Sequence, residues 1–476
     1  MGKRVLQTYA VWARDNLEQQ IEVSLKTLGI NGDNDFREAK QSGDFTYIEG
    51  DPNSYPASLY GKRREIISEV RLKGYQNIIE EVAYTWFNRL VALRFMELHN
   101  YLSHGFRVLS STSGSIEPDI LKNLSLAKTD LRLDMKICEQ LKSQNKTEEL
   151  FRHVLICQCG ALSDVLPRLF SRDSGYMELL LPKSLLIGET VLTRLVKIPE
   201  ENFMNDVQII GWLYQYYNTK AKEKVFASLK KNIKISKEDI PAATQLFTPD
   251  WIVRYMVENS LGRLWLEGHP NDALKAQWKY YLDEAEQEPE VQAQLEQIRA
   301  EYRSLKPEEI KVIDPCMGSG HILVYIFDVL MQIYESQGYT QRDAAQNIVR
   351  HNLHGLDIDK RAAQLAYFAV MMKARQYDRR FFSSKLQPMV YSTTGDEDGE
   401  NFGSLLTVDD PGEMPEDPQS VFDQADYERR LNVWNYRYLL AQKYHVVVPN
   451  PPYMAVSNAS GKVQEYVKKN FPDSKA

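Results

Sequence analysis

Cysteine, histidine and long apolar runs are all scarce in this chain. Four cysteines among 476 residues, Cys138, Cys157, Cys159 and Cys316, are too few for a disulfide scaffold and fit a reducing compartment. Cys157-Gln158-Cys159 has the spacing of half a metal site, but no second thiol pair or histidine cluster completes it. Two buried thiols on the apolar stretch 154–162 are therefore expected, and no metal. No apolar run reaches the length that a bilayer demands, and Met1-Gly2-Lys3-Arg4 lacks the apolar core of a secretory signal. The expectation is a cytoplasmic protein with no membrane partner. An excess of positive charge is missing too. At a formal net charge of −7 the surface as a whole does not attract nucleic acid, so any DNA contact has to come from local clusters of Lys and Arg.

What is present is the composition of a globular chain, 43% hydrophobic and 26% charged, long enough for two or three domains. Residues 65–102 carry a strong helical period: Ile79, Val82, Trp86, Leu90 and Leu93 share a face that Phe87, Val91 and Phe95 widen, so the helix is expected to be buried on most sides. Further helix-like stretches fall at 119–143, 150–168 and 203–217, and alternating strand patterns are few before residue 240. Lys220, Lys222, Lys224, Lys230, Lys231, Lys234 and Lys237 read first as a solvated helical face and second as a phosphate-contacting strip.

The composition changes near Pro241. Thr248-Pro249 reads as a helix start, Thr as cap and Pro at the first helical position, for a helix over 250–266 that turns Ile252, Met256 and Leu261 to a core. The segment 268–309, rich in Glu, Gln, Lys and Ala, reads as an exposed helical insertion. Strand–turn–helix units follow: a strand at 311–314 stopped by Pro315, a helix over 322–336, a strand at 354–357 and a helix over 361–375 whose Ala362, Leu365, Ala366, Ala369 and Met372 lie on one face. That alternation predicts a parallel α/β sheet. Residues 394–426 read as an acidic loop, and 444–448 as a strand that runs into Asn450-Pro451-Pro452-Tyr453. The fold expected is α/β: a mostly α-helical N-terminal domain over 1–240, then an incomplete Rossmann-like sheet over 241–476 with a helical insertion at about 267–309.

Three motifs carry chemistry. In Asp314-Pro315-Cys316-Met317-Gly318-Ser319-Gly320 a strand ends in a carboxylate and a glycine turn opens a helix, letting the backbone approach a ligand with amides turned into the gap. No Gly-Lys-Ser/Thr follows, and Leu323 stands where a dinucleotide loop has its third glycine. In Gly355-Leu356-Asp357-Ile358-Asp359, Asp357 is placed to accept from both hydroxyls of a ribose, Ile358 to flank an adenine, and Asp359 to cap the next helix. In Asn450-Pro451-Pro452-Tyr453 two prolines fix a stiff turn. It aims the Asn450 oxygen and the Pro451 carbonyl at one point, as an exocyclic amino group requires, and Tyr453 offers a face for an extruded base.

The order Gln245-Leu246-Phe247-Thr248-Pro249, Asp314 to Gly320, Asp357, then Asn450 to Tyr453 resembles the adenine-N6 DNA methyltransferases whose target-recognition domain lies at the C-terminal end. The run from Asp314 through His321-Ile322-Leu323-Val324-Tyr325, together with Glu400-Asn401-Phe402-Gly403-Ser404-Leu405-Leu406 and the stretch 60–102, is similar to the PglX family, the adenine-specific methyltransferases of bacterial BREX phage defence. The resemblance implies S-adenosylmethionine as cofactor and double-stranded DNA as partner, with other defence-system proteins as further candidates. By the same resemblance, Phe247, Thr248 and Pro249 close over the methionine part. Asp314, Pro315, Gly318 and Gly320 surround its amino-acid end, Asp357 and Ile358 take the ribose side, and Asn450, Pro451, Pro452 and Tyr453 form the catalytic turn. Asn401 to Leu405 falls in the slot of the third strand end. Two departures stand beside these residues: Cys316-Met317 replaces the usual Ala-Cys, and Pro449 replaces a small residue before Asn450.

Only 456–476 follow the turn, at most one helix, where the class needs more strands and a DNA-reading domain. The expectation is the front portion of a longer methyltransferase, inactive by itself. The rival readings are a catalytically silent DNA- or protein-binding subunit of a defence complex, and a combined restriction nuclease–methyltransferase, for which no Asp…Glu-x-Lys constellation stands out.

Overall fold

The first helix, Gly2–Thr27, spaces Leu6, Ala10, Ala13, Leu17, Ile21 and Leu25 three or four residues apart, and all are buried, against the helix Tyr75–Leu98. The computed structural model describes residues 2–171, 175–204, 207–231, 248–392, 403–418, 424–451, 453 and 455–473. The chain divides into two compact units, Met1–Ile209 and Ile210–Ala476.

The first unit is mostly helical. The long helical stretch read from sequence is two helices, Ser58–Lys73 and Tyr75–Leu98, parted at Gly74, and all eight apolar positions named above in the second are buried. Arg94 is buried within it and is made tolerable by Glu97 and Ser110, at 2.6 and 2.7 Å from its Nη1. The stretch 119–143 is three short helices, and Thr147–Leu162 carries Cys159 buried and Cys157 half-buried; burial pushes both thiols up to about 11. One feature went unread in the sequence: a three-stranded antiparallel sheet of β1 (Ala39–Ser42), β2 (Phe45–Ile48) and β3 (Ser54–Pro56). Gly43-Asp44 forms the two-residue hairpin turn between β1 and β2, with Gly43 at φ +57°.

In the second unit four parallel strands form one sheet in the order β6-β5-β4-β7, where β4 is Val312–Asp314, β5 Leu353–Asp357, β6 Met389–Ser392 and β7 Val446–Val447. From β4 the chain steps outward through β5 to β6, and then returns to add β7 on the other side of β4. The gap beyond the carboxyl ends of β4 and β7 is thus a topological switch point, where open α/β sheets seat their ligands. The helix Gln424–Ala441 covers one face, Tyr436 and Leu439 packing on Ile313 and Leu356. The helices His321–Ser336 and Lys360–Tyr377 pack on each other and against β5, the predicted alanine-rich face of the latter being buried.

Three readings need correction. The third strand is β6, which carries no strong pattern of its own; Gly403–Leu405 is a 3-10 turn packed against β5, and Asn401 and Phe402 lie outside the described residues. The helix after Pro249 begins at Asp250 with Pro249, not Thr248, at the cap, and there is no side-chain cap bond because a proline side chain has no acceptor to offer. The buried face of the helix is Val253, Val257 and Leu261, spaced four apart, with Ile252 and Met256 half-buried, and it runs through a π turn at Glu258–Gly262 into Arg263–Gly268. The insertion holds one exposed helix, Pro289–Ser304, but is tethered: Trp278 is buried with its Nε1 on Gln332, and Glu258 accepts from the Tyr280 amide at 2.6 Å. Among the described residues no helix is long and apolar enough to cross a membrane.

Candidate cofactor and catalytic site

Asp314 ends β4 fully buried. Its Oδ1 accepts from the Cys316 amide at 3.1 Å, while its Oδ2 has no donor among the described residues. A buried acceptor without a donor is costly, so this oxygen is a place for a ligand's N–H or N⁺–H. Burial pushes the Asp314 carboxyl up to about 8, with the nearby Asp357 charge adding to the effect. Asp357, at the end of β5, accepts from the Asp359 amide at 2.7 Å and the Gly318 amide at 2.8 Å. It keeps part of its surface open, yet the packing around its carboxyl still pushes it up to about 7.

The Gly318 and Gly320 amides are not free for a ligand, which the sequence reading expected them to be. Cys316 donates to Asp314, Met317 to the Leu356 carbonyl at 3.0 Å, Gly318 to Asp357 and Gly320 to the Met317 carbonyl at 2.9 Å. These four donors hold the loop together and to β4 and β5, beside the carboxyl groups of Asp314 and Asp357. An acid pair so placed favours a ligand of positive charge. Gly318 (φ +55°) has open space where a Cβ would be. At Gly320 (φ +86°) a Cβ would lie 2.9 Å from the Ala366 Cα, so the helix Lys360–Tyr377 presses directly on the loop.

The fourth strand brings in the catalytic turn. β7 pairs with β4, Val447 opposite Ile313, and Val448 donates to the Ile313 carbonyl at 3.0 Å. Asn450 follows two residues later, at the same rim as Asp314. Burial pushes the Cys316 thiol far up, and a backbone hydrogen bond from Asn450 opposes this, so the two loops touch. The Asn450 Nδ2 donates to the Thr248 Oγ1 at 2.7 Å, and the Tyr453 hydroxyl donates to the Asn450 Oδ1 at 3.0 Å. Two sequence motifs 202 positions apart thus meet in one hydrogen bond.

Thr248, Asp314, Gly318, Gly320, Asp357 and Asn450 come together, with Pro249, Pro315 and Ile358 beside them in the chain and Pro451 and Tyr453 exposed at the turn. Phe247 and Pro452 lie outside the described residues. Sequence reasoning missed Tyr214, in the helix Gln208–Tyr217. Its hydroxyl donates to Asp359 Oδ2, while Asp359 Oδ1 accepts from the Arg361 amide and caps the helix Lys360–Tyr377. Nothing in the local sequence marks it, since the contact spans 145 positions. Among the described residues no cluster of His, Cys, Asp and Glu has the makings of a metal site.

A parallel sheet in this order, with an acid-and-glycine turn after one central strand and an acid after its neighbour, is the Rossmann-like methyltransferase arrangement. Residues 351–476 match the family model described as Eco57I restriction-modification methylase. Over its whole length the chain is 37% identical to "Adenine-specific methyltransferase BrxX" of Escherichia coli O9:H4 (strain HS) and 38% identical to "Adenine-specific methyltransferase PglX" of Lacticaseibacillus casei (strain Zhang). It spans 44% and 45% of the length of those two relatives. A 164-residue stretch covering 32% of the chain is 30% identical to "Adenine-specific methyltransferase PglX" of Streptomyces coelicolor, covering 13% of that relative. The chain is a homologue of the BrxX/PglX-type adenine-specific methyltransferases.

Proposed function

We propose that this chain carries the cofactor-binding and catalytic part of an S-adenosylmethionine-dependent, site-specific DNA adenine-N6 methyltransferase of bacterial BREX phage defence. The helical region over about 1–240 is then accessory to the part from about 241 onward. Double-stranded DNA is the substrate in this reading, and the protein works in the cytoplasm beside other defence proteins. The observation that carries the reading is the hydrogen bond from Asn450 to Thr248, at the rim where Gly318 donates to Asp357.

The residues present fit the cofactor. The unpartnered Asp314 Oδ2 suits its amino group, and the neighbouring acids Asp314 and Asp357 suit a ligand of positive charge. Phe247, Thr248 and Pro249 would close over the methionine part, and Asp314, Pro315, Gly318 and Gly320 would surround its amino-acid end. Asp357 would accept from the ribose and Ile358 would flank the adenine. When bound, S-adenosylmethionine supplies a methyl group made electrophilic by its sulfonium.

The chain's own residues do the rest. Extruding the target adenine costs a few kcal/mol, which its stacking on Tyr453 offsets in part. The Asn450 oxygen and the Pro451 carbonyl each accept one N6 hydrogen, and this turns the nitrogen lone pair outward. Orientation and electrostatic alignment lower the barrier with no covalent enzyme intermediate. Tritiated methyl transfer to genomic DNA by the full-length protein tests the reading. The wild type is expected to label adenine N6 and Asn450→Ala to lose at least 100-fold, on the order seen for a lost oriented acceptor at a reaction centre; equal labelling by the two proteins removes the assignment.

A further inference from the structure

A catalytic amide works only one way round. Its oxygen has to meet the hydrogen of the amine, so the side chain has to be anchored at one place on the rim. In this structure the Asn450 amide is held at both ends, by the Thr248 Oγ1 on its nitrogen and the Tyr453 hydroxyl on its oxygen.

The two partners differ in freedom. Thr248 is 8% exposed and leads into the helix Asp250–Val257, which packs on His321–Ser336, so its hydroxyl is anchored to the sheet. Tyr453 is 77% exposed at the tip of the turn, so its ring can swing without disturbing the core. The Thr248 hydroxyl, moreover, makes no cap bond to the helix it precedes, which leaves it for Asn450.

We infer that Thr248 is a positioning residue that pins the Asn450 side chain to the sheet, and that the Tyr453 hydroxyl occupies the place at the Asn450 oxygen which the substrate amino group takes over. The inference rests on the methyltransferase reading above: Thr248 closes over the cofactor through its backbone, while its hydroxyl has a task at the amide. When the amine arrives, the phenol leaves the Asn450 oxygen and its ring becomes free to lie on the base, while the Thr248 bond stays.

The test uses the full-length protein and reads cofactor affinity separately from turnover. Thr248→Val keeps the shape and removes the hydroxyl; Thr248→Ser keeps the hydroxyl. At saturating S-adenosylmethionine and genomic DNA, single-turnover transfer is expected to fall about tenfold in Thr248→Val, the size of one lost neutral hydrogen bond, and to stay within about twofold in Thr248→Ser. Calorimetric Kd for S-adenosylmethionine is expected to stay within about twofold in both. Tyr453→Phe, which keeps the ring, is expected to lose less single-turnover transfer than Thr248→Val. A Thr248→Val protein that binds the cofactor ten times more weakly but transfers at the normal rate when saturated overturns the proposal, as does a loss in Tyr453→Phe that equals or exceeds the loss in Thr248→Val. Equal transfer by Asn450→Ala and wild type would remove the underlying reading itself, and this proposal with it.

Discussion

A carboxyl group sealed from water holds its proton more tightly, and Asp314 is such a group, raised by burial from 3.8 to about 8. The sign of its effect on stability follows. Between pH 4 and 8 the folded protein keeps a proton that the unfolded chain has released, so stability falls as pH rises through that window. The contribution is whole below about pH 4 and gone above about pH 8. Melting temperature measured from pH 5 to 9 is expected to decline in the wild type more steeply than in Asp314→Asn, which melts higher at pH 8. The same substitution is expected to weaken S-adenosylmethionine about tenfold or more, because it exchanges a charge-assisted bond for a neutral one. In the wild type cofactor affinity should rise from pH 6 to 8, since a cationic partner draws the proton off Asp314. A flat affinity profile would mean that the acid faces no cationic group of the cofactor.

At the scale of elements, the helix Lys360–Tyr377 holds the glycine turn against β4 and β5, and it does so through two contacts. One is the close approach of Ala366 to Gly320: Gly320→Ala is expected to cost about 1–3 kcal/mol, read from the urea midpoint, since it adds both a clash and a strained φ. The other is the cap residue Asp359, held by Tyr214; Tyr214→Phe is expected to raise the cofactor Kd about three- to tenfold through a loosened Asp357, with the melting temperature changed by a few degrees at most. β4, β5 and their helices were legible in the sequence because each is a strong apolar run that ends in an acid, a glycine or a proline. β6 was not: Pro388 stands before it as a readable break, but Met389–Ser392 is only four residues long with a weak apolar pattern, and its partner β5 supplies the pairing. The β1–β3 sheet escaped for a related reason: only β2 alternates, with Thr46 and Ile48 inward, although Gly43-Asp44 was a readable hairpin signal. The roles of Thr248 and Tyr214 could not be read at all, since each depends on a partner more than 140 positions away. The motif residues themselves were legible one by one; their meeting at a single rim was an inference from strand order.

Across the whole molecule the net charge of −7 sets a constraint on any DNA partner: the long-range field repels phosphate, so attachment depends on local cations. The exposed Lys220 and Lys224 on the helix Thr219–Leu229, with Lys230 and Lys231 just past its end, read as a solvated face. Lys230→Gln with Lys231→Gln is accordingly expected to leave the salt dependence of DNA binding unchanged. A fall in the slope of log affinity against log salt by about two would make the pair phosphate contacts instead. The central claim is spatial: acid, glycines and proline-stiffened asparagine share one rim of one sheet. A crystal structure of the protein grown with S-adenosylmethionine tests it most directly. The account predicts ligand density bounded by Thr248, Gly318 and Asp357, with the methyl group facing Asn450; density elsewhere, or an Asn450 turned away from that gap, would contradict it.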